Sequence, residues 1–234
     1  MGGARQRRGA RLTPRLRRPA GRPIGILGGT FDPVHVGHLR AAIEIREALD
    51  LAEVRLIPAH VPPHRPQPAA SAAHRLAMLR LAVRGVPGLS VDDRELRRAG
   101  PSYTVDTLAG LREELGRRPL CVLVGDDAFR GLPTWHRWQA LFELAHLVVM
   151  QRPPLAGVSA SVPAELATVL HARLADGPQA LALAPAGRIL QQAIPPLDVS
   201  ATRIRALLRA GHSARFLVTD GCLRYIRDHH LYKD

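Results

Sequence analysis

Two histidines three residues apart, set among glycines, are the residues of this chain best suited to chemistry. They stand in Gly28-Gly29-Thr30-Phe31-Asp32-Pro33-Val34-His35-Val36-Gly37-His38-Leu39. Gly28 and Gly29 close an apolar run, and a missing Cβ there lets a ligand approach the backbone. Gly37 and His38 open an amphipathic segment, whose unpaired N–H groups and positive dipole end favour phosphate. His35 and His38 share a face if both lie in the first helical turn. His-x-x-His also occurs in zinc sites. Here no cysteine or acidic ligand lies at suitable spacing, so the geometry suits a polyphosphate better than a metal.

A second constellation lies near the other end. Val199-Ser200-Ala201-Thr202-Arg203-Ile204-Arg205 begins a helix after the Pro195–Pro196 break. Ser200 can cap it, its first-turn N–H groups are again free, and Arg205 offers a guanidinium for phosphate. Taken by itself, this heptad reads equally well as an ordinary capped helix with a surface arginine.

These residues need elements to hold them. From Arg22 onward, short apolar runs alternate with longer amphipathic segments. The runs predict strands at Pro23–Gly28, Val54–Pro58, Leu120–Val124, Leu147–Met150 and Ile189–Ile194. The spacing predicts helices over Gly37–Leu49, with Ala41, Ile45 and Leu49 on one face, and over Ser71–Val83, with Leu76, Leu79 and Val83 spaced for burial. Further helices are expected over Val105–Leu115, Trp135–Leu144, Pro163–Leu174, Ser200–Arg209 and Gly221–His230. Such alternation predicts an α/β fold, a Rossmann-like doubly wound parallel sheet with helices on both faces, as one domain over residues 23–234. Ligands of such sheets lie beyond the carboxyl ends of the strands, where the Gly28–His38 motif falls. Pro58–Pro68 reads as an ordered loop beside the site, because prolines lower the entropy cost of fixing it. Arg152–Gly187, rich in Pro and Ala without clear alternation, reads as a variable connection.

Composition bounds the alternatives. The 234 residues are 46% apolar and 23% charged, an ordinary globular balance that argues against wholesale disorder. Runs such as Leu147–Met150 fall far short of the about 20 residues a bilayer span needs, which excludes an integral membrane protein. Cys121 and Cys222 are far apart and form no Cys-x-x-Cys pair, so no disulfide framework is needed and the cytoplasm is the default address. A net charge of +13 taken alone suggests a nucleic-acid partner. Eight arginines within residues 1–22, with no acid among them, leave an excess of only +5 for the rest. Arg is also used almost to the exclusion of Lys, a pattern of GC-rich coding, so the charge calls for no nucleic acid. Residues 1–22 are expected to be a disordered Arg-rich extension. An early-assigned start codon, a basic arm and a transit-like presequence all fit it, and the first asks least. The sequence leaves the oligomeric state open, a homo-oligomer included.

Gly28–His38 resembles the G-x-F-D-P-x-H/T-x-G-H signature of the nucleotidyltransferase superfamily. Val199–Arg205 resembles its second signature, I-S-x-T-x-x-R, with Val199 in place of Ile. The stretches between resemble one family more closely, the bacterial nicotinate-nucleotide adenylyltransferases, from about Pro23 to Tyr232 and least in Arg152–Gly187. Pro58-Ala59-His60-Val61-Pro62-Pro63-His64-Arg65 is similar to that family's Pro-Pro-His-Lys/Arg loop, and Gly100–Leu108 to its G-P-S-Y-T-x-D-T-L segment. Gly125-Asp126-Asp127, with Leu132 and Trp135, is similar to G-x-D-x4-L-x2-W, and Tyr225–Tyr232 to the family's tail. His136 stands where relatives often carry Tyr. Phosphopantetheine adenylyltransferases usually carry Thr at the position of His35 and lack the Ser-Tyr-Thr segment.

The resemblance implies adenylyl transfer from ATP to nicotinate mononucleotide, giving deamido-NAD and pyrophosphate in NAD biosynthesis. It implies that His38 meets the α-phosphate with His35 beside it, and that Arg205, Ser200 and Thr202 hold the β- and γ-phosphates. Gly28, Gly29, Thr30, Phe31, Gly37 and Gly125 would complete the ATP site, with Asp127 on ribose hydroxyls. His64 and Arg65 fall to the phosphate region of the pyridine nucleotide. Ser102, Tyr103 and Thr104 fall to the nicotinate carboxylate through backbone N–H groups, and Trp135 with His136 to the pyridine ring. Mg²⁺ would arrive on ATP, held by phosphates and water, with no protein metal ligand expected. Two other classes make different expectations. A basic nucleic-acid-binding protein would show steeply salt-dependent binding and leaves both signatures unexplained. A nucleotide-binding regulator without turnover is opposed by intact His35, His38 and Arg205.

Overall fold

The computed structural model describes residues 21–62, 67–151 and 162–233. Strands β1 (Ile24–Gly29), β2 (Glu53–Pro58), β3 (Leu89–Val91), β4 (Leu120–Gly125), β5 (His146–Gln151) and β6 (Ile189–Ala193) form one sheet. Their order is β3-β2-β1-β4-β5-β6, and every neighbouring pair is parallel. The chain winds from β1 to β3 one way, then returns to lay β4 on the other side of β1. The β1–β4 boundary is therefore the switch point, where such sheets take their ligands. β1 pairs with β2 along all of Ile24–Gly29, yet its register with β4 ends at Ile26–Val122. The two central strands thus part before their carboxyl ends, and the glycines closing them flank the gap.

The helices are α1 (Val36–Ala48), α2 (Ala72–Val83), α3 (Thr104–Leu115), α4 (Asp126–Arg130), α5 (Leu141–Leu144), α6 (Ala164–Arg173), α7 (Ala201–Arg209) and α8 (Asp220–Asp228). Both faces of the central strands are apolar, as a sheet covered on two sides requires. Leu27, Leu56, Leu123 and Val148 pack with residues of α1, α2, α7 and α8. Ile26, Val122, Val124, Leu147 and Val149 pack with residues of α3, α5 and α6. Side-chain oxygens of Ser71, Ser200 and Thr219 accept the His74, Arg203 and Cys222 N–H groups, which starts α2, α7 and α8 where they start.

Three details depart from the periodicity. The expected helix over Trp135–Leu144 is broken into a 3₁₀ turn at Trp138–Ala140 followed by α5, because Arg137 takes a left-handed conformation with φ 50°. Helix α2 buries Arg75, Met78, Leu79 and Ala82, one position round from the predicted face, leaving Leu76 and Val83 half-buried. β3 and α4, of three and five residues, are too short to print a period. Within the expected variable connection, α6 forms close to its predicted bounds and a 3₁₀ turn follows at Pro178–Ala182, while residues 152–161 lie outside the described ones. Residues 1–20 of the expected disordered extension also fall outside them, whereas Arg22, assigned to that extension, is bonded to Asp50 and Leu51 and belongs to the fold. Cys121 and Cys222 are both buried as free thiols. Among the described residues, no helix is long and apolar enough to cross a membrane.

Candidate active site

Gly28 and Gly125 occupy open space: a Cβ built on either meets no atom within 4 Å. Together they leave the parted ends of β1 and β4 bare of side chain. Beyond Gly28 the chain turns sharply. Phe31 sits at φ 52°, a conformation costly for a residue with a Cβ, and is 2% exposed. Its ring lies against Gly29, where a Cβ would come within 3.1 Å of it, and edge-on to the His38 ring at 5.0 Å.

His35 is the residue that caps α1, and its ring stacks on that of His38 at 3.7 Å. The His35 backbone N–H donates to His38 Nδ1 at 3.3 Å. With Nδ1 accepting, a neutral His38 carries its proton on Nε2, the form that donates to a phosphate oxygen. The Val36 N–H is taken by the Leu217 carbonyl, at 2.9 Å, and the His38 N–H by the His35 carbonyl, at 3.0 Å. The Gly37 N–H between them has no acceptor among the described residues. Gly37 is also where the two signatures touch: a Cβ there would lie 2.7 Å from Val199 Cγ1.

The second signature comes to the first directly. Arg205 donates from Nη1 to the Asp32 carbonyl at 2.7 Å, and its Nη2 meets Thr202 Oγ1 at 3.4 Å. Ser200 spends its hydroxyl on the Arg203 N–H, so capping is its side-chain role and the Ala201 and Thr202 N–H groups remain for a ligand. Two helix N-termini and one guanidinium thus converge beside the crevice, an arrangement whose charge and donors suit a polyphosphate. On the β4 side, Gly125 precedes α4 and Asp127 is fully exposed, 3.5 Å from Arg130 Nη1.

A third helix N-terminus near the site belongs to α3. Tyr103 precedes it in extended conformation and supplies no side-chain cap, so the N–H groups of Thr104 and its successors are unclaimed by a side chain. The Ser102 hydroxyl is occupied: it accepts the His60 N–H at 2.8 Å and bonds the buried Glu95 carboxyl. Its role is to fasten this segment to the β2–α2 loop, and the Ser102 N–H reinforces this on the Val61 carbonyl at 3.0 Å. Burial pushes the Glu95 carboxyl up from its ordinary range, opposed by hydrogen bonds from Thr107 and Ser102. Tyr103 and His136 rings lie 4.4 Å apart, and Trp135 is half-buried next to His136. The structure therefore gathers Tyr103, Thr104, Trp135 and His136. His64 and Arg65 lie outside the described residues.

Two residues that the sequence reading passed over organise the loops. Arg75, 1% exposed, donates from Nη1 to the carbonyls of Thr30 and Ala59, each at 2.8 Å, binding the β1–α1 loop to the β2–α2 loop. Burial lowers its guanidinium's proton affinity, and Asp32 partly restores it. Asp32, 4% exposed, accepts the Ala69 and Ala70 N–H groups at 2.7 and 3.1 Å. An arginine on the apolar face of a helix was the available signal. A depression of about 340 Å³ lies elsewhere, at β2–β3, and Glu53, Arg55, Asp92, Arg94 and Glu114 fill its walls with mutual ion pairs.

Comparison with known proteins agrees with this geometry. Residues 26–207 match the family model described as Cytidylyltransferase-like. A protein of Pseudomonas aeruginosa (strain UCBPP-PA14) named "Probable nicotinate-nucleotide adenylyltransferase" is 54% identical over 214 residues, covering 91% of this chain and 98% of that protein. One of the same name from Halorhodospira halophila is 53% identical over 205 residues, covering 88% and 92%. Among solved structures, "Plasmodium falciparum nicotinic acid mononucleotide adenylyltransferase complexed with NaAD" is similar with a TM-score of 0.68 over 91% of this chain and 98% of that one. At 15% identity that likeness speaks for the fold alone. Identity above one half across nearly the whole length carries more, and by it this chain belongs to the nicotinate-nucleotide adenylyltransferase family of cytidylyltransferase-like proteins.

Proposed function

We propose that this protein transfers the adenylyl group of ATP to nicotinate mononucleotide, giving nicotinate adenine dinucleotide and pyrophosphate, a step of NAD biosynthesis. The observation that carries this reading is the division of the site into two anion-holding parts. The N-termini of α1 and α7, joined through Arg205 and Asp32, suit a triphosphate. The uncapped N-terminus of α3, with the Tyr103–His136 rings beside it, suits an aromatic acid.

In the reaction an oxygen of the mononucleotide's 5′-phosphate attacks the α-phosphorus of ATP. The new P–O bond forms as the bond to the β-phosphate's bridging oxygen breaks, and pyrophosphate leaves with the electron pair. The nucleophile is already anionic at neutral pH, so no general base is needed. The protein's work is in-line positioning and neutralisation of moving charge. His38 serves the α-phosphate through Nε2–H, with His35 beside it. Arg205 and the Ala201 and Thr202 N–H groups take the β- and γ-phosphates. Gly28, Gly29, Thr30, Phe31, Gly37 and Gly125 shape the nucleotide's seat, and Asp127 takes ribose hydroxyls. Backbone N–H groups from Thr104 onward receive the nicotinate carboxylate, Trp135 and His136 face the pyridine, and His64 and Arg65 serve its phosphate. Among the described residues, no group of three or more His, Cys, Asp or Glu side chains stands at metal-holding spacing. Mg²⁺ would come with ATP, held by its phosphates and water, and would spread phosphate charge. Free buried thiols support a cytoplasmic setting.

Pyrophosphate release from ATP and Mg²⁺ with nicotinate mononucleotide, nicotinamide mononucleotide and phosphopantetheine in parallel tests the reading. Release with the acid at least about a hundredfold above the amide is expected, a gap of roughly 2.7 kcal/mol. The amide would present N–H₂ to N–H donors and leave them unpaired. Comparable rates with both would keep the reaction and sink the carboxylate assignment. Activity with phosphopantetheine alone would overturn the choice of substrate.

A further inference from the structure

The β1–α1 loop, which carries the triphosphate cradle, is held from four separate parts of the chain. The Asp32 carboxylate accepts the Ala69 N–H on Oδ2, and both the Ala70 N–H and the Tyr232 phenol on Oδ1. The phenolic bond is 2.7 Å long, buried, and closes a separation of 200 residues. The same aspartate gives its backbone carbonyl to Arg205 Nη1, which also stands 3.8 Å from Oδ2. Arg75 holds the preceding carbonyl, that of Thr30. Asp32 thus gathers three separate segments, Ala69–Ala70, Arg205 and Tyr232, at one residue.

We infer that Tyr232 is a positioning residue for the reaction: its hydroxyl fixes the Asp32 carboxylate, and through the Asp32 carbonyl it sets the Arg205 guanidinium against the nucleotide's phosphates. Tyr232 touches no substrate. Tyr232 is 8% exposed and its ring belongs to the core on the α1–α2 side, so the ring and the hydroxyl have separable tasks. Burial and the Asp32 carboxylate hold the phenol far above its ordinary range, which keeps it a donor across any working pH. A buried network of this kind fixes geometry when all its members are paired, and removing one donor loosens the rest. The inference rests on reading this end of the site as the place of ATP.

Tyr232→Phe removes the hydroxyl and keeps the ring. It is to be compared with Arg205→Lys and the double variant, each first checked for a cooperative thermal transition. The readouts are steady-state kinetics with both substrates varied and affinity for the unreactive analogue α,β-methylene-ATP by calorimetry. Y232F is expected to lower kcat/KM for ATP, and affinity for the analogue, about tenfold, with KM for nicotinate mononucleotide within about twofold. In the R205K background the same change should add less than about twofold, because its route to the phosphates is already cut. A hydroxyl that only stabilised the fold would lower the melting temperature and leave these ratios alone. Y232F with parental values, or a full tenfold loss on top of R205K, overturns the inference. The analogue affinities do so independently of the acceptor: if no pyridine nucleotide supports turnover, the proposed reaction falls while these affinities still decide Tyr232.

Discussion

At the scale of single residues, the site is built from atoms with no freedom to do anything else. His38 has its Nδ1 engaged by the His35 N–H and its ring set between those of His35 and Phe31, which fixes the proton of the neutral imidazole on Nε2 and the direction in which the ring faces. Removing a donor of this kind from a charge-stabilising site costs about 10²–10³ in kcat, roughly 3–4 kcal/mol. His38→Ala is therefore expected to lose that much turnover while keeping its thermal transition, and near-parental kcat in a folded variant would remove His38 from the chemistry. Gly28 tests the opposite case, a residue whose absent side chain is the function. A Cβ at Gly28 meets nothing within 4 Å, so Gly28→Ala meets no steric penalty and gains slightly from a stiffer unfolded chain. Its methyl would stand in the crevice. The expected result is an unchanged or slightly raised Tm together with a KM for ATP raised about tenfold, and a KM that stayed put would place the nucleotide elsewhere.

At the scale of elements, the strands are held in register by side chains that leave little tolerance for added charge. His146 opens β5 fully buried, donating from Nε2 to the Ala184 carbonyl at 2.8 Å and accepting the Arg188 N–H on Nδ1 at 3.0 Å. It thereby ties β5 to the segment that leads into β6. Burial lowers its proton affinity below the ordinary histidine value, with Arg112 and Arg188 adding to the effect. The unfolded chain takes up a proton near pH 6.5, and the folded one declines it until lower pH. Stability is therefore full above about pH 6.5 and falls as the pH drops below it. Thermal unfolding between pH 7.5 and 5 should show Tm declining through that window, and His146→Gln should flatten the decline. An equally steep decline in the variant would assign it to another group. Elements also show where periodicity runs out. The alternation that announced β1, α1 and β4 is local, and the structure repeats it almost residue for residue. Trp135–Leu144 has the same local pattern, but one left-handed residue, Arg137, breaks it, and the His136 ring lies beside that of Tyr103.

At the scale of the whole molecule, what was legible divides by sequence separation. Each signature could be read where it stands, because glycines, a cap and first-turn donors lie within a dozen residues of one another. Their union could not: Gly37 against Val199, Arg205 on Asp32, and Tyr232 on Asp32 join the two ends of the chain, and no local pattern encodes them. The basic N-terminus joins the fold at the end opposite the crevice. The described chain begins at Gly21, three residues before β1, so it enters at the amino ends of the strands. The crevice lies at their carboxyl ends, six residues or about 20 Å away along β1. Arg22 remains anchored there, its Nε on the Asp50 carbonyl at 3.0 Å and its own carbonyl accepting Arg118 Nε at 3.0 Å. Deleting residues 1–20 spares those bonds and removes seven arginines and no acid. Adenylyl transfer by the truncated protein is expected within about twofold of the full chain, with the same dependence on salt from 50 to 300 mM. If nucleic acid were the partner, binding would carry a steep inverse salt dependence supplied by those arginines and would disappear with them. Loss of turnover in a folded truncation would instead make the extension part of the enzyme, reaching the site from the far end of the sheet.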